Sequence, residues 1–271
     1  MTWWCAASKE PWDWSPRAYP GIWLFMVLLL VGYLWVCRER PDRRKRWFFL
    51  GGWALLWAST DWPLGTLGSG YLASAHMAQY LLYTMAAAPL LMLSLPEAPL
   101  RRGLSRLRAY RLVRLAARPL VAGVIFNIVL LVTHAPVTVD TMRTNQAGSF
   151  LLDLAWLASG LLLWLPVCGP LDELKPSYPA RCVYLFLAAG LVPMVPGGFL
   201  TFAGTPLYSV YELAPRVGGF DALDDQQAAG VIMKVGNLPL LWPVLGGLFL
   251  RWAAEDRAAT PPVQVKTADK T

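Results

Sequence analysis

Only two histidines occur in this chain of 271 residues, His76 and His134, and the first lies among polar groups in an otherwise apolar run. The stretch 71–96, YLASAHMAQYLLYTMAAAPLLMLSLP, is long enough to cross a bilayer, since ~30 Å of hydrocarbon takes about 20 helical residues. His76, Gln79 and Tyr80 stand near its start. Residues four apart share a helix face, so His76 and Tyr80 point the same way, with Gln79 and Tyr83 flanking them. An imidazole, a phenol and a carboxamide at one end of a membrane helix can hydrogen-bond a guest, and imidazole can also ligate a metal. Such a stripe reads as the wall of a site open to one side of the membrane.

The composition sets the solvent in which that helix stands. Apolar residues make up 56% of the chain and charged residues 15%, against about 45–50% and about 25% in soluble domains. Mean hydropathy is positive. The reading is an integral membrane protein whose first partner is the lipid bilayer. The net charge of +7 comes from basic residues in short blocks between apolar runs. That is the pattern of membrane-protein loops, so no nucleic-acid partner is expected. Cys5, Cys37, Cys168 and Cys182 include no CxxC pair, which argues against a thiolate zinc site or a redox dithiol. Cys168 and Cys182 bracket one loop; they either meet or remain separate membrane-helix thiols.

Seven apolar runs follow one another, at about 21–36, 47–62, 71–96, 120–138, 150–167, 182–202 and 231–250. The expected fold is all-α, a polytopic bundle of seven transmembrane helices over 21–252. Before it, residues 1–20, rich in Trp and Pro, read as an extracytoplasmic interfacial segment. They do not read as a signal peptide, because the basic cluster follows the apolar run instead of leading it. Residues 253–271 read as a disordered cytoplasmic tail. The basic stretch 101–118 fits an amphipathic helix on the membrane surface. With the amino terminus outside and the carboxy terminus cytoplasmic, 19 of the 24 Lys and Arg fall inside, as the positive-inside rule demands.

In that orientation His76, His134 and Asp153 lie near the outer ends of the third, fourth and fifth spans. The loop carrying Tyr208, Tyr211, Asp224 and Asp225 is outside as well, and Met233 begins the last span. Each residue also has a structural reading. The histidines can bond loop carbonyls at helix ends, Asp225 can cap a helix, and methionines usually pack. Asp153 is harder to treat so, because a carboxylate inside a span costs roughly 2.5–3.5 kcal/mol and such residues are usually functional. An acid in a first helical turn does complement the helix dipole. No nucleophile–base–acid order or phosphate-cradling glycine loop stands out, so no enzyme is expected. Paired halves of the kind transporters often carry are missing too.

SAHMAQYLLYTMAAAPLLMLSLP, LLLWLPVCGPL, GLVPMVPGGFLTFAGTPLYSVYELAPR and LDDQQAAGVIMKVG, taken in this order, resemble the seven-span CtaG family of cytochrome c oxidase assembly proteins. The last two segments are the more specific. The resemblance implies a plasma-membrane protein of the respiratory chain that helps deliver or insert copper into a haem–copper oxidase at the outer face. Partners would be oxidase subunits or another respiratory complex. His76, Met77, His134, Asp225 and Met233 match the family pattern as they stand. Tyr80 and Asp153 occupy places where the family usually carries histidine. The implied Cu(I) site is His76, His134 and Met233, soft and imidazole donors that suit copper. Asp153 and Asp225 would serve as further ligands or as partners orienting a ring nitrogen. The alternative is a non-enzymatic accessory or scaffold subunit of a respiratory complex that has lost its metal site.

Overall fold

The computed structural model describes residues 2–38 and 42–259, and among these every regular element is a helix. In chain order they are α1 (Pro20–Val36), α2 (Arg43–Thr60), α3 (Leu64–Gly70) and α4 (Ala73–Ser94). Next come α5 (Glu97–Arg106), α6 (Tyr110–Ala116), α7 (Pro119–Thr133) and α8 (Pro136–Met142). The second half holds α9 (Gln146–Cys168), α10 (Tyr178–Phe202), α11 (Ser209–Glu212), α12 (Ala222–Val235) and α13 (Leu238–Ala259). A helix stands at each of the seven apolar runs. Four stretches are long and apolar enough to cross a membrane: α4, α9, α10 and the α12–α13 pair. A fifth is added if α6 and α7, bent by 74° at Ala117–Arg118, count as one. The chain is a multi-pass membrane protein.

Three departures from the expected boundaries have local causes. The run 120–138 is interrupted because Ala135 precedes Pro136 and takes an extended conformation, φ −65° and ψ 135°, as steric conflict with the proline ring requires. That break ends α7 at Thr133 and leaves His134 as its cap. The last run is also broken, at Gly236 and Asn237 between α12 and α13. Finally, α13 continues to Ala259, past the expected boundary at 252. Residues 260–271, the remainder of the expected disordered tail, lie outside the described residues.

Two helices widen into a π turn, α4 over Leu82–Ala87 and α10 over Phe186–Leu191. In each a proline follows two residues on, Pro89 and Pro193. Proline has no N–H to return to the carbonyl four residues back, and in hydrocarbon the freed carbonyl needs another donor. For Pro193 that carbonyl is Ala189 O, and the side chain of Asn237 donates to it. Beside it Asn127 Nδ2 donates to Ala188 O at 3.1 Å. In α4, Trp164 Nε1 donates to Thr84 O at 2.8 Å. Asn237 between α12 and α13, Asn127 of α7 and Trp164 of α9 thus bond the backbone carbonyls around the two π turns.

α4 is the central element, packed against α2, α9 and α12. The approach of α9 is close enough that a Cβ on Gly160 would lie 2.9 Å from Thr84 Cα, the small-residue contact typical of membrane helices. All four cysteines are free thiols, Cys168 and Cys182 included.

Candidate functional site

The start of α4 is held from outside its own sequence. Its N-cap, Leu72, has no side-chain acceptor, and Asp225 of α12 supplies one. The carboxylate accepts from Ala73 N at 2.6 Å, from Ser74 N at 3.3 Å and from the Ser74 hydroxyl. Two of these donors are amides of the first turn, which have no partner within the helix. This bond fixes the register of α4 just ahead of His76. From the other side α3 approaches so closely that a Cβ on Gly68 would lie 3.1 Å from His76 Cα.

His76 and His134 come together, with ring centroids 5.5 Å apart and edge to face. Both are buried. Trp156 of α9 fills the space between helices, stacked on His134 at 5.7 Å and edge-on to His76 at 4.8 Å. Its indole N–H donates to Thr133 Oγ1 at 3.1 Å. Tyr80, one turn below His76, packs edge-on to His134 at 4.7 Å.

The hydrogen bonds of the two rings decide their tautomers. His134 Nδ1 lies 2.8 Å from Leu130 O, and a carbonyl only accepts, so Nδ1 carries the proton. His76 Nδ1 lies 2.7 Å from the hydroxyl of Tyr211. That hydroxyl also lies 2.6 Å from Gly68 O, a carbonyl at the end of α3 whose neighbours Tyr71 N and Leu72 N both bond Leu67 O instead. Burial holds the Tyr211 phenol well above its usual range, so it keeps its proton. The proton goes to Gly68 O, and the hydroxyl oxygen accepts from His76 Nδ1–H. Each imidazole is therefore fixed with a bare lone pair on Nε2. Both Nε2 atoms are buried and have no hydrogen-bond partner among the described residues. Two buried, unpartnered acceptors are costly unless a guest donates to them or coordinates them.

Asp153 is engaged by groups other than the histidines. It sits on α9, where Trp4 Nε1 donates to its Oδ2 at 2.8 Å and Arg143 Nη2 pairs with its Oδ1 at 3.1 Å. The Arg143 side chain is 0% exposed. Its guanidinium lies over the Trp156 ring at 4.9 Å and reaches Gln79 Oε1 at 3.5 Å. Arg143 Nε and Nη1 have no hydrogen-bond partner among the described residues. Arg143, between the fourth and fifth apolar runs, is not among the candidate site residues read from the sequence. The signal was available: a carboxylate within a span needs a cation, and Arg143 is the basic residue just ahead of that helix.

Met233 is buried on α12 and lines a small cavity with Tyr80, Met85, Phe126 and Asn237. Neither histidine borders that cavity. The fold thus brings His76 and His134 together, joins Asp153 to them through Arg143 and Trp156, and stations Asp225 and Met233 beside α4. No group of three His, Cys, Asp or Glu side chains suited to a metal ion occurs among the described residues.

The site is covered by two chain segments. Tyr208 donates to His134 O at 2.9 Å, and Asp140 of α8 accepts from Ser209 N and Val210 N at the start of α11. On the other side Trp3 N donates to Gln146 Oε1 at 2.7 Å, and Ala7 N donates to Arg143 O at 2.8 Å. Trp4 and Cys5 are buried, deeper than an interfacial segment requires.

The family model for the cytochrome c oxidase caa3 assembly factor, Caa3_CtaG, matches residues 27–255. The chain belongs to that family. The match takes in every helix from α2 to α12 and both histidines of the pocket. No curated protein and no solved structure matches this CtaG-family chain. The resemblance drawn from the motifs is therefore the family itself.

Proposed function

We propose that this CtaG-family protein serves a haem–copper oxidase by delivering or inserting copper at the outer face of the plasma membrane. The single observation behind this reading is the pair of tautomer-fixed imidazoles with bare, buried Nε2 atoms. Neutral imidazoles with a fixed lone pair are what a copper ion takes as ligands, and a partner on the opposite ring nitrogen orients each ring. In this reading His76 and His134 hold Cu(I) as cargo, with Met233 of α12 as a further soft donor. Asp225 positions His76 through the start of α4, and Asp153 acts through Arg143. The topology proposed with it has seven crossings, the amino terminus outside and the carboxy terminus cytoplasmic, because that arrangement keeps the basic blocks inside. No catalytic role is assigned.

One observation favours a second reading, an accessory or scaffold subunit of a respiratory complex without metal. Asp153 and Asp225 both have structural partners, and the Arg143 cation lies close to the imidazoles. Copper content separates the two. The detergent-purified protein, loaded with Cu(I) under reductant, should retain about one copper per chain, and the His76→Ala/His134→Ala variant should lose it. Equal copper in both proteins would reject the ligand assignment. Unchanged oxidase activity with His76→Ala, together with co-purification with the oxidase, would establish the scaffold instead.

A further inference from the structure

Away from the histidines, α7 and the first half of α10 enclose an apolar groove of about 640 Å³. It begins at Pro119 and Pro179, the first-turn prolines of the two helices, and runs to Asn127 and Ala188. Asn127 Nδ2 joins the walls, donating to Gly123 O at 2.9 Å and to Ala188 O at 3.1 Å. A groove so tied does not depend on its occupant to keep its shape, and its volume is that of a ligand site.

The basic residues at its mouth indicate the occupant. α6 meets α7 at 74°, so a helix along the membrane surface turns into one that enters the membrane, directly above the groove. Arg111 and Arg114, three apart, share a face of α6, and Arg118 follows at the bend as the residue that leads into α7. All three are exposed, and none makes a hydrogen bond or ion pair among the described residues. Arg118 immediately precedes Pro119. On the opposite wall Arg181 is already engaged, its Nε donating to Pro176 O and its Nη1 to Val167 O. The unengaged positive charge therefore belongs to the α6–α7 bend alone.

We infer that this groove is a binding site for one anionic phospholipid. The phosphate lies on Arg111, Arg114 and Arg118, and an acyl chain fills the groove between α7 and α10. Charge at the interface and apolar shape at acyl depth are the two halves of such a molecule, and here they adjoin across the α6–α7 bend. Arginine is the side chain suited to the phosphate, through its planar fork of donors. Basic residues at a membrane surface attract anionic headgroups in general; the adjoining groove makes this a site for one molecule. The inference is independent of the copper reading.

The test compares thermal unfolding of the full-length, detergent-purified protein on addition of phosphatidylglycerol, phosphatidylcholine or glycerol phosphate. Phosphatidylglycerol should raise Tm by roughly 5 °C near saturation, and the other two should not. The Arg111→Gln/Arg114→Gln/Arg118→Gln variant should lose the shift while keeping its lipid-free Tm. Val183→Trp, which fills the groove from an exposed rim position, should lose it as well. Removing two arginines elsewhere, with Arg43→Gln/Arg44→Gln, should leave it intact. Equal shifts with phosphatidylcholine, or a shift surviving the triple change, would overturn the proposal. So would an equal response to glycerol phosphate, which has the charge but no chain. If Val183→Trp keeps the lipid shift but prevents co-purification of the oxidase, the groove holds a partner helix and the lipid assignment fails.

Discussion

Removing the carboxylate of Asp153 leaves Arg143 charged and unpaired in a dry part of the bundle. Their side chains are 3% and 0% exposed and lie 3.1 Å apart, so water screens the pair little. At an effective dielectric of 20 their attraction is about 5 kcal/mol, before the cost of desolvating both groups. That cost offsets much of the gain, but breaking such a pair from one side still destabilises by about 3–5 kcal/mol, because the survivor keeps its desolvation without its partner. For a chain of this size that is a fall in Tm of roughly 10 °C. Asp153→Asn keeps the volume and an acceptor for Trp4, so it isolates the charge. Arg143→Met/Asp153→Leu removes both charges and should recover most of the loss. The assay is thermal unfolding in detergent of wild type, Asp153→Asn, Arg143→Met and the double apolar variant, read as a cycle. If the single variants melt with wild type, or the double variant is as poor as their losses added, the pair does not organise the site and the argument fails.

Three further outcomes can be checked on the same preparation. Tyr211→Phe removes the acceptor that fixes the His76 tautomer while leaving the ring in place; Cu(I) affinity should fall 10–100-fold, measured by competition with a chromogenic chelator, at nearly unchanged Tm. Asp225→Ala strips the cap from the start of α4 and should cost about 1–2 kcal/mol, read as a drop in Tm, with hydrogen exchange at Ala73 and Ser74 accelerated. Cys5 is pushed up to about 12 by burial, so at pH 8 its thiol stays protonated and resists alkylation. Mass spectrometry should find Cys5 unlabelled in the folded protein and labelled once detergent or heat unfolds it.

The sequence carried the helices well because lipid demands long apolar runs, and such runs are visible without any partner. The location of His76 at the start of a buried helix was legible for the same reason, as was the convergence of His76 and His134. Of the partners, Arg143 could be read from its place just ahead of α9, but those that come from distant residues could not. Arg143 meets Asp153 across the α8–α9 turn, and Tyr211 reaches His76 from a loop 135 positions away. Asp225 had two readings on sequence grounds, and the cap it supplies belongs to α4 instead of its own helix. The break at His134 was foreshadowed by Pro136. The π turns in α4 and α10 were harder to foresee, since their repair requires Asn127, Asn237 and Trp164 from other helices.

The amino-terminal segment lies over the Arg143–Asp153 pair beside the histidines, fastened at Trp3 to Gln146, at Trp4 to Asp153 and at Ala7 to Arg143. With both imidazoles buried, and Tyr208 and Tyr211 bonded to their residues, a guest exchanges only when a segment around them lifts. The opening is a local unfolding event with its own free energy, so exchange has a ceiling set by the protein. Under the proposed copper reading, raising the concentration of a copper donor would speed loading only up to the rate at which the strap detaches. Weakening one fastening, as Trp4→Phe would do at Asp153, raises that ceiling in both directions, giving a carrier that fills faster and also leaks.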